Sequence, residues 1–158
     1  MKYEIKQYLK ITKSTEVFNE GEIEILKELL EDLRNNKKTT YSLIEEEADG
    51  KLAGFTLFGR TPLTEFTWDI YWIIVGKEFQ GRGIGKSLLV RTEELIKQKT
   101  PRATIKLETS TRKKYSAARG LYKRVKFEEA GTLSNFYSEG DDMIIFYKDI
   151  NPLNPKAE

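Results

Sequence analysis

The most constraining feature of this chain is a strand, a glycine loop and a helix that follow one another between Tyr71 and Lys97. Residues 71–75 (YWIIV) are aromatic or β-branched throughout, which predicts a buried strand. Residues 80–87 (QGRGIGKS) place three glycines within five positions, so the backbone there can approach a ligand closely. The apolar stripe of the helix that follows comprises Ile84, Leu88, Leu89, Thr92, Leu95 and Ile96. The first N–H groups of a helix have no partners within it, so the stretch predicts an anion site, most often one for phosphate.

Spacing excludes two well-known phosphate loops. A nucleotide-triphosphatase loop needs a glycine five residues before Gly85, where this chain has Gln80. A dinucleotide-binding loop needs a glycine three residues after the second glycine of a G-x-G pair, and here Lys86 or Leu88 occupies that position. The loop must therefore belong to another class of phosphate site.

Composition limits the chemistry further. The chain has 158 residues, which predicts one domain at residues 1–150 and a short loose tail at residues 151–158. It contains no His and no Cys, so a Ser-His-Asp triad, a thiol nucleophile and a His/Cys zinc site are excluded, and we predict no metal. No apolar run is long enough to cross a bilayer and no signal-peptide pattern opens the chain, which predicts a cytoplasmic location without a membrane partner.

Hydrophobic periodicity predicts an α/β (α+β) chain. The predicted strands are Tyr3–Leu9, Thr40–Ala48, Lys51–Phe58, Phe66–Val75, Ala103–Thr109, Phe127–Leu133 and Met143–Lys148. The predicted helices are Phe18–Leu33, the helix after the glycine loop, and Tyr115–Arg124. Asp49-Gly50 predicts a tight hairpin turn. The strands that flank the middle helix should be parallel neighbours joined by a right-handed crossover.

Two motifs together resemble one enzyme superfamily. The first is Gln80-x-x-Gly83-x-Gly85, and the second is the run at residues 118–127 (ARGLYKRVKF), which is similar to A-x-x-L-Y followed shortly by G-F. Both patterns, and the order βαβββαβαββ, resemble the GNAT superfamily of acyl-CoA-dependent N-acetyltransferases. The resemblance implies the GNAT fold, a mixed central sheet flanked by helices, in which the central parallel strand pair is splayed.

The resemblance also implies where the cofactor would bind. In relatives, pantetheine lies along the central strand, which here assigns that role to the backbone of Ile73, Ile74 and Val75. The diphosphate would be held by the loop residues, which are Gln80, Gly81, Arg82, Gly83, Ile84, Gly85, Lys86 and Ser87. Tyr115 stands where relatives often carry an Asn that bonds the pantetheine arm, and Lys126 replaces the glycine of the second motif.

Tyr122 matches the tyrosine that protonates the departing thiolate in relatives, although a core aromatic on an amphipathic helix is the simpler interpretation of the same residue. As the general base that accepts the proton of the amine, we nominate Asp69 first and Glu65 second, acting directly or through water. A carboxylate that is hydrogen-bonded only for structure explains either residue equally well. Asp141 and Asp142 could attract a cationic amine, but a polar hairpin turn explains them better.

Charge is distributed unevenly along the chain. Residues 97–126 hold eleven Lys or Arg and only Glu108 as an acid, whereas residues 20–50 hold ten acids and four bases. The basic run could attract the polyanion CoA, with a solvated face and nucleic acid as the alternatives.

We therefore predict an N-acetyltransferase that moves an acetyl group from acetyl-CoA, its co-substrate, to a primary amine by direct attack. The acceptor would be a small-molecule amine or a peptide amine, with no nucleic-acid partner, and the protein would be a monomer or homodimer. A non-catalytic CoA-binding module and a nucleic-acid-binding domain are the competing interpretations.

Overall fold

The computed structural model describes residues 1–150, and the predicted loose tail at 151–158 lies outside the described residues. The four α-helices within them are α1 (Ile5–Ser14), α2 (Glu20–Asn35), α3 (Ile84–Lys99) and α4 (Ser116–Arg124). The six strands are β1 (Tyr41–Ala48), β2 (Lys51–Arg60), β3 (Thr67–Val75), β4 (Ala103–Ser110), β5 (Glu128–Ser138) and β6 (Asp141–Ile150). Short 3-10 turns precede α3 and α4, at Lys77–Phe79 and Lys113–Tyr115.

The strands form one mixed sheet in the order β1-β2-β3-β4-β6-β5. The pairs β1/β2, β4/β6 and β5/β6 are antiparallel, whereas β3 and β4 are parallel. The paired positions of β3 and β4 run from Thr67 opposite Thr104 to Asp69 opposite Lys106, although both strands continue beyond them. The predicted fold class, a mixed sheet flanked by helices with a central parallel pair, is confirmed.

One predicted element is wrong. The first strand is predicted at residues 3–9, but residues 5–9 form the first half of α1, so the order of elements begins with two helices. The side chains of Glu4 and Gln7 bond each other's backbone N–H groups, which caps the helix start. Ile5, Tyr8 and Thr12 also share one helical face, and Tyr8 and Thr12 are buried. The same residues alternate between apolar and polar over a short window, which misled the prediction.

The described chain divides into two compact units, Met1–Gly59 with Tyr71–Leu89, and Arg60–Ile70 with residues 90–150. The single domain expected at residues 1–150 stays a prediction. In the first unit, helices α1 and α2 and strands β2 and β3 share one core. Its buried members are Tyr8, Leu26, Leu30, Leu52, Phe55, Leu57 and Ile74. The hairpin turn between β1 and β2 is confirmed, with Asp49 at φ 54° and Gly50 at φ 71°.

In the second unit, strand β4 is paired along its whole length with β6, from Ala103 opposite Ile150 to Ser110 opposite Met143. Helix α4 packs on this part of the sheet through Tyr122, whose ring lies 5.5 Å from the ring of Phe146 on β6. The edge strand β5 is solvent-exposed along its length. None of the helices within residues 1–150 is long and apolar enough to cross a membrane.

Candidate active site

The glycine loop joins β3 to α3 and has the conformation that its glycines permit. Gly81 and Gly83 have φ angles of 77° and 81°, which side-chain-bearing residues rarely adopt. A Cβ atom added at either glycine would meet nothing within 4 Å, so the loop is open on this side. The glycines are therefore needed here for backbone conformation, and the space beside them remains available to a ligand.

Unpartnered amide groups lie at the start of α3. The first amide in this region that donates a backbone hydrogen bond is that of Ser87, to the Gly83 oxygen at 3.0 Å. Within residues 1–150, the amides of residues 81–86 donate no hydrogen bond. Six such groups next to the positive end of the helix dipole suit an anion.

Contacts from the loop hold its two ends. The Gln80 side-chain amide donates to the Val75 carbonyl at 3.2 Å, which ties the loop back to β3. Ile84, at the head of α3, is buried and approaches Gly54 of β2. Of the predicted pantetheine segment, Ile74 is buried in the core, whereas Ile73 and Val75 are partly exposed.

The two cations of the loop have different environments. Arg82 Nη1 lies 2.8 Å from Asp49 Oδ2 in the β1–β2 turn, and its guanidinium lies 5.5 Å from the centre of the Phe79 ring. Lys86 is exposed and forms no ion pair with any residue that the structure describes. Lys86 is therefore the loop cation that is free to meet an anion.

Tyr122 lies on α4 and is almost entirely buried against aromatic rings. The Phe146 ring contacts it edge-on, and Phe127 lies 6.3 Å away. Burial raises the pKa of Tyr122 well above its usual value. The Tyr122 hydroxyl makes no hydrogen bond within residues 1–150. A protonated, unbonded phenol can donate its proton to a ligand.

Asp69 lies on β3 as predicted, but both of its oxygens are engaged. Oδ1 lies 2.5 Å from Lys106 Nζ, and Oδ2 accepts from the Thr61 hydroxyl at 2.6 Å. Burial of Lys106 lowers its pKa, but its bonds to Asp69 and Glu108 outweigh this and the pKa is raised. Asp69 therefore has little capacity left to take a proton from an amine.

Sequence reasoning missed a third carboxylate, Glu108 on β4. Its Oε1 accepts from Lys106 Nζ at 3.1 Å, and its side chain is 41% exposed. The signal was present in the sequence: Glu108 is the only acid among the basic residues from 97 to 126, and it follows Lys106 by two positions on a strand. Glu65, in contrast, is exposed in the loop before β3 and does not lie on the strand face with Asp69.

Acid and base candidates lie on opposite faces of the sheet. Leu107 is paired with Phe146, so these two share the face that Tyr122 covers. Lys106 and Glu108 flank Leu107 on β4 and must point to the other face. A base at the amine nitrogen and an acid at the thioester sulfur act on different atoms, so direct transfer does not require a shared face.

The remaining candidates have structural partners. Tyr115 forms the N-terminal boundary of α4, and Lys114 Nζ lies 5.2 Å from the centre of its ring. Asp141 is buried and bonds Ser110 and Arg112. Asp142 accepts from the Asn135 amide at 2.8 Å. The two aspartates therefore hold the β5–β6 turn, as the simpler interpretation of the sequence predicts.

Acids elsewhere in the chain neutralise part of the basic run. Outside the Lys106 bridge, its ion pairs with described acids include Lys97 with Glu93, Arg112 with Asp141 and Lys123 with Glu129. Within the described residues, no group of three or more Asp or Glu side chains could hold a metal ion.

The family model for the GNAT acetyltransferases matches residues 5–127. A Bacillus subtilis protein described as a ribosomal protein bS18-alanine N-acetyltransferase is 29% identical over 125 residues, which cover 76% of this chain and 75% of that protein. The crystal structure of a GNAT-family acetyltransferase from Desulfovibrio desulfuricans has a TM-score of 0.86 and 30% identity, with 94% of each chain covered.

The same fold occurs in the PaiA N-acetyltransferase from Thermoplasma acidophilum, crystallised in complex with coenzyme A. It has a TM-score of 0.65 and 20% identity, with 92% of this chain and 90% of that chain covered. The family match spans most of the chain. The chain belongs to the GNAT acetyltransferase family and is an N-acetyltransferase.

Proposed function

We propose that this enzyme transfers the acetyl group of acetyl-CoA to a primary amine by direct attack. The observation that carries the proposal is the set of unbonded amides at residues 81–86, beside the unpaired cation Lys86. These groups would hold the diphosphate of the co-substrate. The backbone of Ile73, Ile74 and Val75 would hold the pantetheine arm, and one N–H there would face the thioester oxygen.

The reaction balances without an acyl-enzyme. The amine nitrogen attacks the thioester carbon and loses one proton, the carbon–sulfur bond breaks, and the sulfur gains a proton. The products are an N-acetylated amine and coenzyme A. We assign proton donation at sulfur to Tyr122, whose hydroxyl is protonated and unbonded.

For the proton lost by nitrogen, the contacts change the order of the candidates. Asp69 is committed to Thr61 and Lys106, whereas Glu108 keeps one oxygen unbonded among the described residues and is accessible to solvent. We therefore propose Glu108 as the base, directly or through water, with Asp69 and Lys106 positioning it. Glu65 is the weakest of the three candidates because it makes no side-chain contact that would orient it.

The B. subtilis relative is described as a ribosomal protein bS18-alanine N-acetyltransferase. We propose a peptide N-terminus as the acceptor here, with small-molecule amines as the competing class. The cytoplasmic location and the choice between monomer and homodimer stay predictions of the sequence.

Calorimetry with acetyl-CoA tests the co-substrate site. We compare the wild type with Gly83→Ala and with Gly140→Ala, since both glycines have positive φ and open space around the missing Cβ. Strain of about 1 kcal/mol should move the phosphate loop and weaken binding by about fivefold in Gly83→Ala only. Absence of acetyl-CoA binding to the folded wild type would overturn the proposed function.

Release of free thiol from acetyl-CoA tests the acceptor. Peptides that begin with Ala are compared with the same peptides carrying a blocked N-terminus and with a panel of small amines. The proposal requires turnover that depends on the free N-terminus; turnover with small amines alone would assign the other class.

A further inference from the structure

Arg82 is not available as a free cation at the phosphate loop. Its Nη1 atom lies 2.8 Å from Asp49 Oδ2, and the two residues are separated by 33 positions in sequence. The Asp49 carboxylate therefore binds the guanidinium as a phosphate oxygen would. Arg82 is also held over the Phe79 ring, at 5.5 Å from its centre.

Asp49 lies in the tight hairpin turn between β1 and β2. Asp49 and Gly50 both have positive φ, the combination that two-residue hairpin turns of type I′ require. The strands on either side are paired up to Ala48 and Lys51, directly next to the turn. The position of the acid relative to β1 and β2 is therefore fixed by the hairpin.

The ion pair is weak enough to be exchanged. Half of the Arg82 side chain and about two thirds of the Asp49 side chain are exposed, at 50% and 66%. An exposed pair between single charges contributes little net free energy. A phosphate offers a guanidinium two parallel hydrogen bonds and more charge, which is a stronger interaction.

We propose that Asp49 is an internal competitor of the co-substrate diphosphate, which holds Arg82 in the free enzyme and is displaced from it on binding. The proposal rests on the proposed function and names a further residue that sets affinity at that site. Because the carboxylate opposes an incoming anion whether it is displaced or stays nearby, its removal should tighten binding.

Asp49→Asn tests the proposal because it removes the negative charge and keeps the size of the side chain. Asn tolerates positive φ and is favoured before Gly in this turn, so the hairpin should keep its shape. Glu78→Gln is the matched control, because Glu78 is an exposed acid in the turn just before the phosphate loop and forms no ion pair with a described residue. Circular dichroism and thermal unfolding check that both variants are folded.

We expect the Kd of acetyl-CoA to fall by about threefold to fivefold in Asp49→Asn at low salt, and the gain to shrink at high salt. Glu78→Gln should stay close to the wild type. In an Arg82→Gln background, Asp49→Asn should have less than half of this effect. Acetyl-pantetheine, which lacks the diphosphate, should bind Asp49→Asn and the wild type equally.

Unchanged or weaker acetyl-CoA binding in folded Asp49→Asn overturns the proposal, because Asp49 would then be neutral or would position Arg82 for the ligand. An equal gain in Glu78→Gln also overturns it, since the effect would then be one of net charge. Failure of the wild type to bind acetyl-CoA is a different result and removes the proposed function itself.

Discussion

The Nζ atom of Lys106 lies 2.5 Å from the Oδ1 atom of Asp69, at the last paired position of the parallel strands β3 and β4. Within residues 1–150, both strands continue beyond this bridge without pairing to each other. Lys106 also reaches Glu108, so one cation holds two carboxylates of different exposure. The buried Asp69 carboxylate is suited to stabilising the fold, and the exposed Glu108 carboxylate is suited to accepting a proton.

Asp69→Asn and Glu108→Gln should therefore have opposite consequences. Loss of the charged bond to Lys106 should lower the free energy of unfolding by about 2 kcal/mol in Asp69→Asn, measured by denaturant unfolding. Glu108→Gln should leave stability within about 0.5 kcal/mol of the wild type. Its kcat should fall by about 100-fold in the thiol-release assay, as expected for loss of a general base. A large loss of kcat in Asp69→Asn at wild-type stability would instead assign the base to Asp69.

Tyr122→Phe should lower kcat by about 100-fold, because the phenylalanine keeps the ring contacts but cannot protonate the thiolate. The Kd of acetyl-CoA should not change, since the phosphate loop is untouched. Tyr147→Phe on β6 is the control and should keep the wild-type kcat. If Tyr122→Phe is fully active and folded, the residue is a core aromatic, the simpler of the two sequence interpretations.

Burial of Tyr122 also predicts how stability depends on pH. Its pKa is raised in the folded protein, whereas in the unfolded chain a tyrosine titrates near 10. Below pH 10 both states bind the proton and the contribution to stability is complete. Above pH 10 the unfolded state releases the proton first, so the free energy of unfolding falls as pH rises, by about 1.4 kcal/mol per pH unit for this residue.

Denaturant unfolding between pH 9 and pH 11.5 measures this slope. In Tyr122→Phe the free energy of unfolding should fall less steeply with pH, because the contribution of Tyr122 is lost. Part of the dependence should remain, because the pKa of Tyr8 is also raised, by burial and by its bond to Glu45. Identical slopes in the variant and the wild type would contradict the prediction.

Much of the fold could be predicted from the sequence because local and tertiary preferences agree there. Asp49-Gly50 can adopt the φ angles that its turn needs, and the aromatic and β-branched residues from Tyr71 to Val75 favour a strand. The strand predicted at residues 3–9 was wrong for a physical reason. Their polar and apolar positions suit a strand as well as a helix, and the capping side chains of Glu4 and Gln7 decide for the helix.

The site was predictable where its function depends on the backbone and less so where it depends on side-chain partners. The glycine loop is determined by residue type, since Gly81 and Gly83 need positive φ. The partner of Asp69 lies on a strand that is distant in sequence, and only strand register brings Lys106 next to it. The signal for Glu108 was local, because its partner Lys106 lies only two positions before it on β4.

Thr56→Val should stabilise the protein. The Thr56 hydroxyl is fully buried in β2 and has no hydrogen-bond partner among the described residues. Valine has nearly the same shape and removes this unpaired group, so the free energy of unfolding should rise by about 1 kcal/mol. Thr12→Val is the matched control: Thr12 is equally buried, but its hydroxyl donates to the Tyr8 carbonyl at 2.8 Å, so the variant should be destabilised. Destabilisation of both variants would mean that the Thr56 hydroxyl has a partner in solution, such as a buried water.

Gly54→Ala tests how tightly β2 supports the proposed co-substrate strand. A Cβ atom at Gly54 would lie 2.7 Å from the Ile74 carbonyl oxygen and 3.1 Å from both Ile84 Cγ2 and Leu88 Cδ1. Backbone cannot yield as a flexible side chain can, so we expect a loss of about 2 kcal/mol in unfolding free energy. The displaced carbonyl belongs to the segment proposed to hold pantetheine, so acetyl-pantetheine binding should weaken in the fraction that remains folded. Gly131→Ala is the control, since its Cβ would meet nothing within 4 Å and its φ is not positive. Wild-type stability in Gly54→Ala would show that β2 and β3 can separate without cost, and the segment at Ile73–Val75 would then lack the rigid support that precise binding of a thioester requires.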